Sequence, residues 1–119
     1  MKIKLLNGLE ENINLKKYII DKDGLCKSKF QKRIRDELIE KYPQDIICEE
    51  IYIKGEKFYL DFLIVSRGIV IEVNGRQHNE HIRFFHKTIV AFNKQKASDQ
   101  RKRDWCKLND LRLIEIYDE

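Results

Sequence analysis

Apolar positions fall into blocks whose spacing changes along the chain. From Ser28 to Tyr42, Phe30, Ile34, Leu38 and Tyr42 recur every fourth residue, the period of one helix face, with Ser28 as N-cap and Pro43 as stop. From Asp45 to Lys54 the period drops to two. Ile47, Glu49, Ile51 and Ile53 alternate with Ile46, Cys48, Glu50 and Tyr52, which predicts a strand that turns at Gly55-Glu56. Two apolar strands follow, Phe58–Val65 and Ile69–Val73, separated by Ser66-Arg67-Gly68. Residues 79–87 read as a loop over the sheet edge, Thr88–Leu108 as a second long helix and Leu111–Tyr117 as a last strand. Helix, three strands, helix, strand predicts an α/β (α+β) fold. Residues 1–26 carry less pattern: Lys2–Leu6 as a short strand, Asn14–Ile20 as a short helix, Asp23-Gly24 as a turn. They are expected to be an accessory segment on a core of residues 27–117, the whole forming one domain.

Each central strand carries a carboxylate where hydrocarbon is expected, Asp61 in the first and Glu72 in the second. A charge inside a sheet is costly without a partner. If Ile64 pairs with Ile69, then Asp61 faces Glu72, and both side chains can share one cation; a slip of one residue sends them to opposite faces. Hard Mg²⁺ suits such an all-oxygen site, with the Val73 carbonyl as a further ligand and Mn²⁺ as substitute. Past Glu72, Asn74-Gly75 bends the chain and delivers Arg76, Gln77 and His78 beside it.

Both helices carry polar residues on apolar faces. Gln31 falls inside the first stripe next to Leu38, and Glu37 falls at its edge. In the second helix Phe92, Gln95, Asp99, Lys102 and Cys106 share one face, so Asp99 and Lys102 are expected to point inward. Lys27, Lys29, Lys32, Arg33 and Arg35 crowd the start of the first helix, where cations oppose the helix dipole. A solvated face is the plain reading of such a run, and a phosphate backbone lying across it is the functional one. Arg101, Arg103 and Lys107 read as solvated or phosphate-contacting.

Composition narrows the classes. The 119 residues are 42% hydrophobic, enough for one modest core, and the net charge of +4 permits a polyanionic partner. Three widely spaced cysteines, Cys26, Cys48 and Cys106, suggest thiols in a reducing compartment rather than a disulfide framework. No CxxC pair, signal-like segment or membrane-length apolar run occurs, so a cytoplasmic protein without membrane contact is expected.

LDF at Leu60–Phe62, IEVNGRQH at Ile71–His78 and DQRK at Asp99–Lys102 resemble the PD-(D/E)XK nuclease superfamily. The similarity is greatest to the branch around very short patch repair endonucleases and phage homing-endonuclease catalytic domains. It covers about residues 27–117 and implies a restriction-endonuclease-like mixed sheet with an αβββαβ core. It also implies that Asp61 and Glu72 bind the metal and that His78 and Asp99 serve as auxiliary histidine and acid. Two positions depart from the family pattern: Asn74 stands where a lysine is usual, and Gln31 where the branch has a first-helix acid. The repair enzymes' zinc ligands have no counterpart.

The expected activity is Mg²⁺-dependent hydrolysis of a phosphodiester in DNA, most simply double-stranded. Asp61, Glu72, Gln77, His78, Asp99 and Lys102 form the catalytic set. His78 would handle the proton, oriented by Asp99, while Gln77 and Lys102 would stabilise charge on the phosphate. Lys27, Lys29, Gln31, Arg76, Arg101 and Arg103 are the candidate nucleic-acid contacts. A zinc cluster of His78, His81 and His86, or a histidine-and-asparagine finger using Asn79, would leave Asp61 and Glu72 unexplained. The alternatives of another class are a DNA-binding module that lost catalysis and a structural subunit with basic faces kept for solubility. Target choice would come from the 79–87 loop, from homodimerisation or from a partner protein.

Overall fold

The computed structural model describes residues 1–21, 23–24, 28–74 and 100–117. Strands β1 (Lys2–Lys4) and β2 (Glu10–Asn12) form a small antiparallel hairpin. Helix α1 (Lys29–Lys41) follows, then β3 (Ile47–Ile53), β4 (Phe58–Ile64) and β5 (Ile69–Asn74), a helix α2 over 100–108, and β6 (Arg112–Tyr117). The last four strands make one sheet in the order β3-β4-β5-β6, antiparallel except for the parallel β5–β6 pair. The fold is therefore mixed α/β, and from α1 onward the described elements follow the expected order of helix, three strands, helix and strand; the expected loop at 79–87 and the expected second helix before residue 100 lie outside the described residues. No helix among the described residues is long and apolar enough to cross a membrane.

Local chemistry explains most boundaries. Ser28 caps α1, its hydroxyl accepting the Gln31 N–H at 3.1 Å, and the helix ends just before Pro43. The β4–β5 connection is a 3₁₀ turn, Val65–Arg67, closed by Gly68 at φ 61°, a backbone setting that a side chain would strain. Ser66 and Arg67 both hydrogen-bond the Asp45 carboxylate, which holds that acid below its ordinary range. The expected helix at Asn14–Ile20 is a single 3₁₀ turn, Leu15–Tyr18. Strand β2, EEN, was not expected, because three polar residues carry no alternation.

The core has two lobes, and the sheet changes faces between them. Ile34 and Leu38 of α1 pack with Ile47, Phe62, Ile64 and Ile71. On the other side Trp105 and Cys106 of α2 pack with Ile3, Leu5 and Ile13 of the N-terminal segment and with Cys48, Ile51, Ile53, Phe58, Leu60, Leu63 and Val70. Leu60 and Phe62 are two residues apart on one strand yet belong to different lobes, as do Ile47 and Ile51. This corrects the simple alternation expected of the third strand. The break lies at Glu50, whose φ of 55° is left-handed, and at Asp61, its neighbour in the β3–β4 register. Residues 1–20 join the larger lobe closely: a Cβ at Gly55 would overlap the Leu5 side chain, and the Gly55 N–H donates to Glu11 at 2.7 Å.

Arg35 is a second correction. Read as part of a solvated or phosphate-facing cluster, it is 2% exposed, paired with Glu49 at 2.8 Å and bonded to the Gly24 carbonyl at 2.7 Å. Removing one partner of a buried pair strands the other's charge. Arg35→Ala is therefore expected to lower the urea-unfolding free energy by about 3–5 kcal/mol. A loss within about 0.5 kcal/mol, typical of an exposed surface cation, would contradict the packing described.

Candidate functional site

The β4–β5 ladder has the register that places the two acids together. Ile64 pairs with Ile69, Leu63 with Val70 and Phe62 with Ile71; the next residues along are Asp61 and Glu72. There the exchange between strands passes from backbone to side chain. The Asp61 N–H donates to Glu72 Oε2 at 2.8 Å, and the Val73 N–H donates to Asp61 Oδ2 at 2.7 Å. Each carboxylate thus satisfies a backbone donor of the opposite strand, and the strands separate without leaving those N–H groups orphaned. In a strand the N–H and C=O of one residue leave the same edge, so the Val73 carbonyl borders this opening too.

Helix α2 closes the site from the Trp105 side. Lys102 Nζ reaches Glu72 Oε1 at 2.6 Å, with the lysine side chain 19% and the glutamate 8% exposed. Its ammonium also sits 5.7 Å from the Phe58 ring centre, a cation–π contact that directs the chain inward. Even so, burial first, and the Asp61 charge second, push Glu72 above the usual carboxylate range; Lys102 offsets them only in part. Cys106, on the next turn of α2, is pushed up to about 12 by burial, with the Glu72 charge contributing.

Other expected site residues are placed as follows. Gln31 is 4% exposed and gives its amide hydrogens to Glu49 at 2.9 Å and Glu50 at 2.8 Å. Arg101 grips the buried Glu56 at 3.0 Å, and Arg103 forks onto Glu115 at 3.0 and 3.2 Å; both keep about half their surface, at 49% and 47%. Lys29 is exposed on the first turn of α1. Lys27, Arg76, Gln77, His78 and Asp99, together with His81 and His86, lie outside the described residues. Among the described residues no three His, Cys, Asp or Glu side chains converge on one point. The site described is the acid pair and its lysine. The left-handed Glu50 and the Glu56–Arg101 tie were not expected, since neither leaves a pattern in the sequence.

No family model matches the chain, and no solved structure does. It is similar to uncharacterized protein 307L of Invertebrate iridescent virus 6, at 44% identity over 46 residues, covering 39% of this chain and 23% of that protein. It is also similar to uncharacterized protein 033L of Invertebrate iridescent virus 3, at 34% identity over 64 residues, covering 54% of this chain and 33% of that protein. The matched segments span between 23% and 33% of these relatives' lengths, and their names state no activity.

The charge imbalance at the pair has a measurable sign. An acid whose folded pKa exceeds its unfolded value of 4.5 contributes stability that is complete below that pH and is lost as pH rises through the folded value. Asp61→Asn keeps an acceptor for the Val73 N–H and removes the repelling charge. In EDTA the variant is expected to lose less stability than wild type over this rise and to be about 0.5–2 kcal/mol more stable at pH 7. A variant less stable than wild type at pH 7 would show that Asp61 is not in conflict with Glu72.

Proposed function

We infer that the chain is a Mg²⁺-dependent DNA endonuclease of restriction-endonuclease-like fold, in line with its resemblance to the PD-(D/E)XK superfamily. The observation that carries this reading is the pair of carboxylates facing across the opened β4–β5 edge, with a lysine from α2 on one of them. The donor set fits the ion: two carboxylates and a backbone carbonyl are hard oxygen ligands, and Glu72 stays elevated beside Lys102, so the site still favours added positive charge. Asp61, Glu72 and the Val73 carbonyl would hold it. When bound, the ion supplies Lewis acidity toward water and the phosphodiester.

The remaining roles belong to the chain. Asp61 and Glu72 fix the place of reaction, each oriented by an N–H of the facing strand. Lys102, which reaches the site from α2 while Asn74 occupies the usual lysine position, stabilises charge growing on the phosphate oxygens. His78 moves the proton with Asp99 orienting it, and Gln77 adds a further donor. Lys29 and the exposed halves of Arg101 and Arg103 contact the DNA backbone, with Lys27 and Arg76, and so position the duplex without reading its sequence.

One observation favours a second reading, a DNA-binding module without catalysis: Lys102 at 2.6 Å itself neutralises part of the Glu72 charge. Supercoiled plasmid separates the two. The nuclease reading expects nicked or linear product with Mg²⁺ and none with EDTA. It expects Asp61→Ala and Glu72→Gln to lower the rate at least ~10²-fold and Lys102→Met by ~10²–10³-fold. Salt-dependent retention of DNA with no cutting by wild type would support the module instead, and undiminished cutting by Asp61→Ala would remove this site from the chemistry.

A further inference from the structure

The register of the large sheet sets an acid from every strand in one row. Glu49 pairs with Phe62 and Ile51 with Leu60, so Glu50 stands level with Asp61. Asp61 stands level with Glu72, one step beyond the Phe62–Ile71 pair, and Glu72 pairs with Glu115. In a regular sheet, residues level with one another leave the same face with Cβ atoms ~5 Å apart, and like charges placed so repel. Glu50, Asp61, Glu72 and Glu115 would then stack side by side.

The molecule breaks this row up. Lys102 takes Glu72 and Arg103 forks onto Glu115, both from α2. Glu50 leaves by the other face, where Gln31 of α1 donates to its Oε1 at 2.8 Å. A strand residue reaches the opposite face only if its backbone turns, and Glu50 turns at φ 55°, a setting that strains any residue with a Cβ. Pairing is kept on both sides of the turn, Glu49 with Phe62 and Ile51 with Leu60. Strand β4 must therefore change faces at the same row, and the residue where it does so is Asp61. A side chain on a regular strand stands away from the sheet. Asp61 instead reaches along it, its Oδ2 accepting the Val73 N–H at 2.7 Å. An irregularity of strand pairing is the plain reading of such a turn. A strained, non-glycine residue level with an acid pair asks for more.

We propose that Glu50 is a positioning residue for the acid pair: its left-handed backbone turns β4 over at Asp61, which aims that carboxylate at the β5 strand and keeps a third acid off the face of Glu72. Glu50 touches neither ion nor substrate and acts through Asp61. The proposal rests on the nuclease reading only in naming the pair a metal site. Glycine would adopt the same turn without strain. The glutamate adds the acceptor through which Gln31 fastens α1 to this row.

The test compares Glu50→Gly with Glu50→Val, by amide hydrogen exchange in EDTA and by Mn²⁺ binding followed with electron paramagnetic resonance. Exchange at Asp61 and Val73 is scaled to that at Leu63 and Val70 in the same variant, which removes changes in global stability. In the glycine variant both amides are expected to stay within about 3-fold of wild type, since the turn is kept. Valine is β-branched and disfavours the turn, so both amides are expected to exchange at least ~10-fold faster and Mn²⁺ affinity to fall about 10-fold. A merely structural glutamate would be missed equally in both variants. Unmoved amides in the valine variant, or a glycine variant as fast as the valine one, overturns the proposal. If the valine variant does not fold, Glu50→Ala takes its place. Alanine carries part of the same strain, so exchange about 5-fold faster than in the glycine variant is expected, and equality overturns the proposal. The amides are read without metal, so the two readings fail separately. Wild type without Mn²⁺ affinity removes the metal site and leaves the amides to decide the positioning. Equal Mn²⁺ binding by all variants, with unmoved amides, removes only the positioning.

Discussion

Two neighbouring strands cannot part inside a protein unless the donors and acceptors they abandon are satisfied another way. At the end of the β4–β5 ladder the Asp61 and Val73 N–H groups are taken by carboxylates reaching across from the facing strand. Only an acceptor on a side chain of suitable length does this; a hydrocarbon at either position would leave a buried donor bare. The opening is thus made by the residues that line it. Their charge is then concentrated where burial makes it costly, and Glu72 feels both its own desolvation and the proximity of Asp61.

The layers on either side are fixed to this point. Lys102 ties α2 to Glu72, and Trp105 anchors the same helix edge-on against Phe58, with ring centres 5.9 Å apart. On the opposite face α1 is attached through Gln31 and Arg35 to Glu49 and Glu50, where β3 changes faces. Glu50 and Asp61 adjoin in the β3–β4 register, so the strain of a left-handed glutamate and the turned-out aspartate are two sides of one distortion. A helix on each face, each bound by polar contacts to the distorted row, keeps the two acids from relaxing into a regular ladder.

Much of this was legible in the sequence, and the reasons are local. Ser28 and Pro43 bound a helix whatever lies around them, and the Ser66-Arg67-Gly68 turn sets the register that brings Asp61 to Glu72. What could not be read depends on partners distant in sequence. Arg35 looks like its neighbours Lys32 and Arg33 until Glu49, fourteen positions on, draws it inside. Arg101 and Arg103 resemble solvated cations, yet each finds a glutamate on a strand or turn. The face change at Glu50 leaves no trace because the residue types continue the alternation while the backbone does not. The acids themselves were conspicuous because apolar strands surround them.

The central claim is that the opening between β4 and β5 holds a divalent ion. Anomalous diffraction from crystals soaked in Mn²⁺ tests it most directly. The account predicts a single strong peak bonded to an oxygen of both Asp61 and Glu72, with Lys102 drawn off the Glu72 oxygen it contacts at 2.6 Å. Saturating Mn²⁺ that leaves no peak there, with Lys102 still on Glu72, would contradict it.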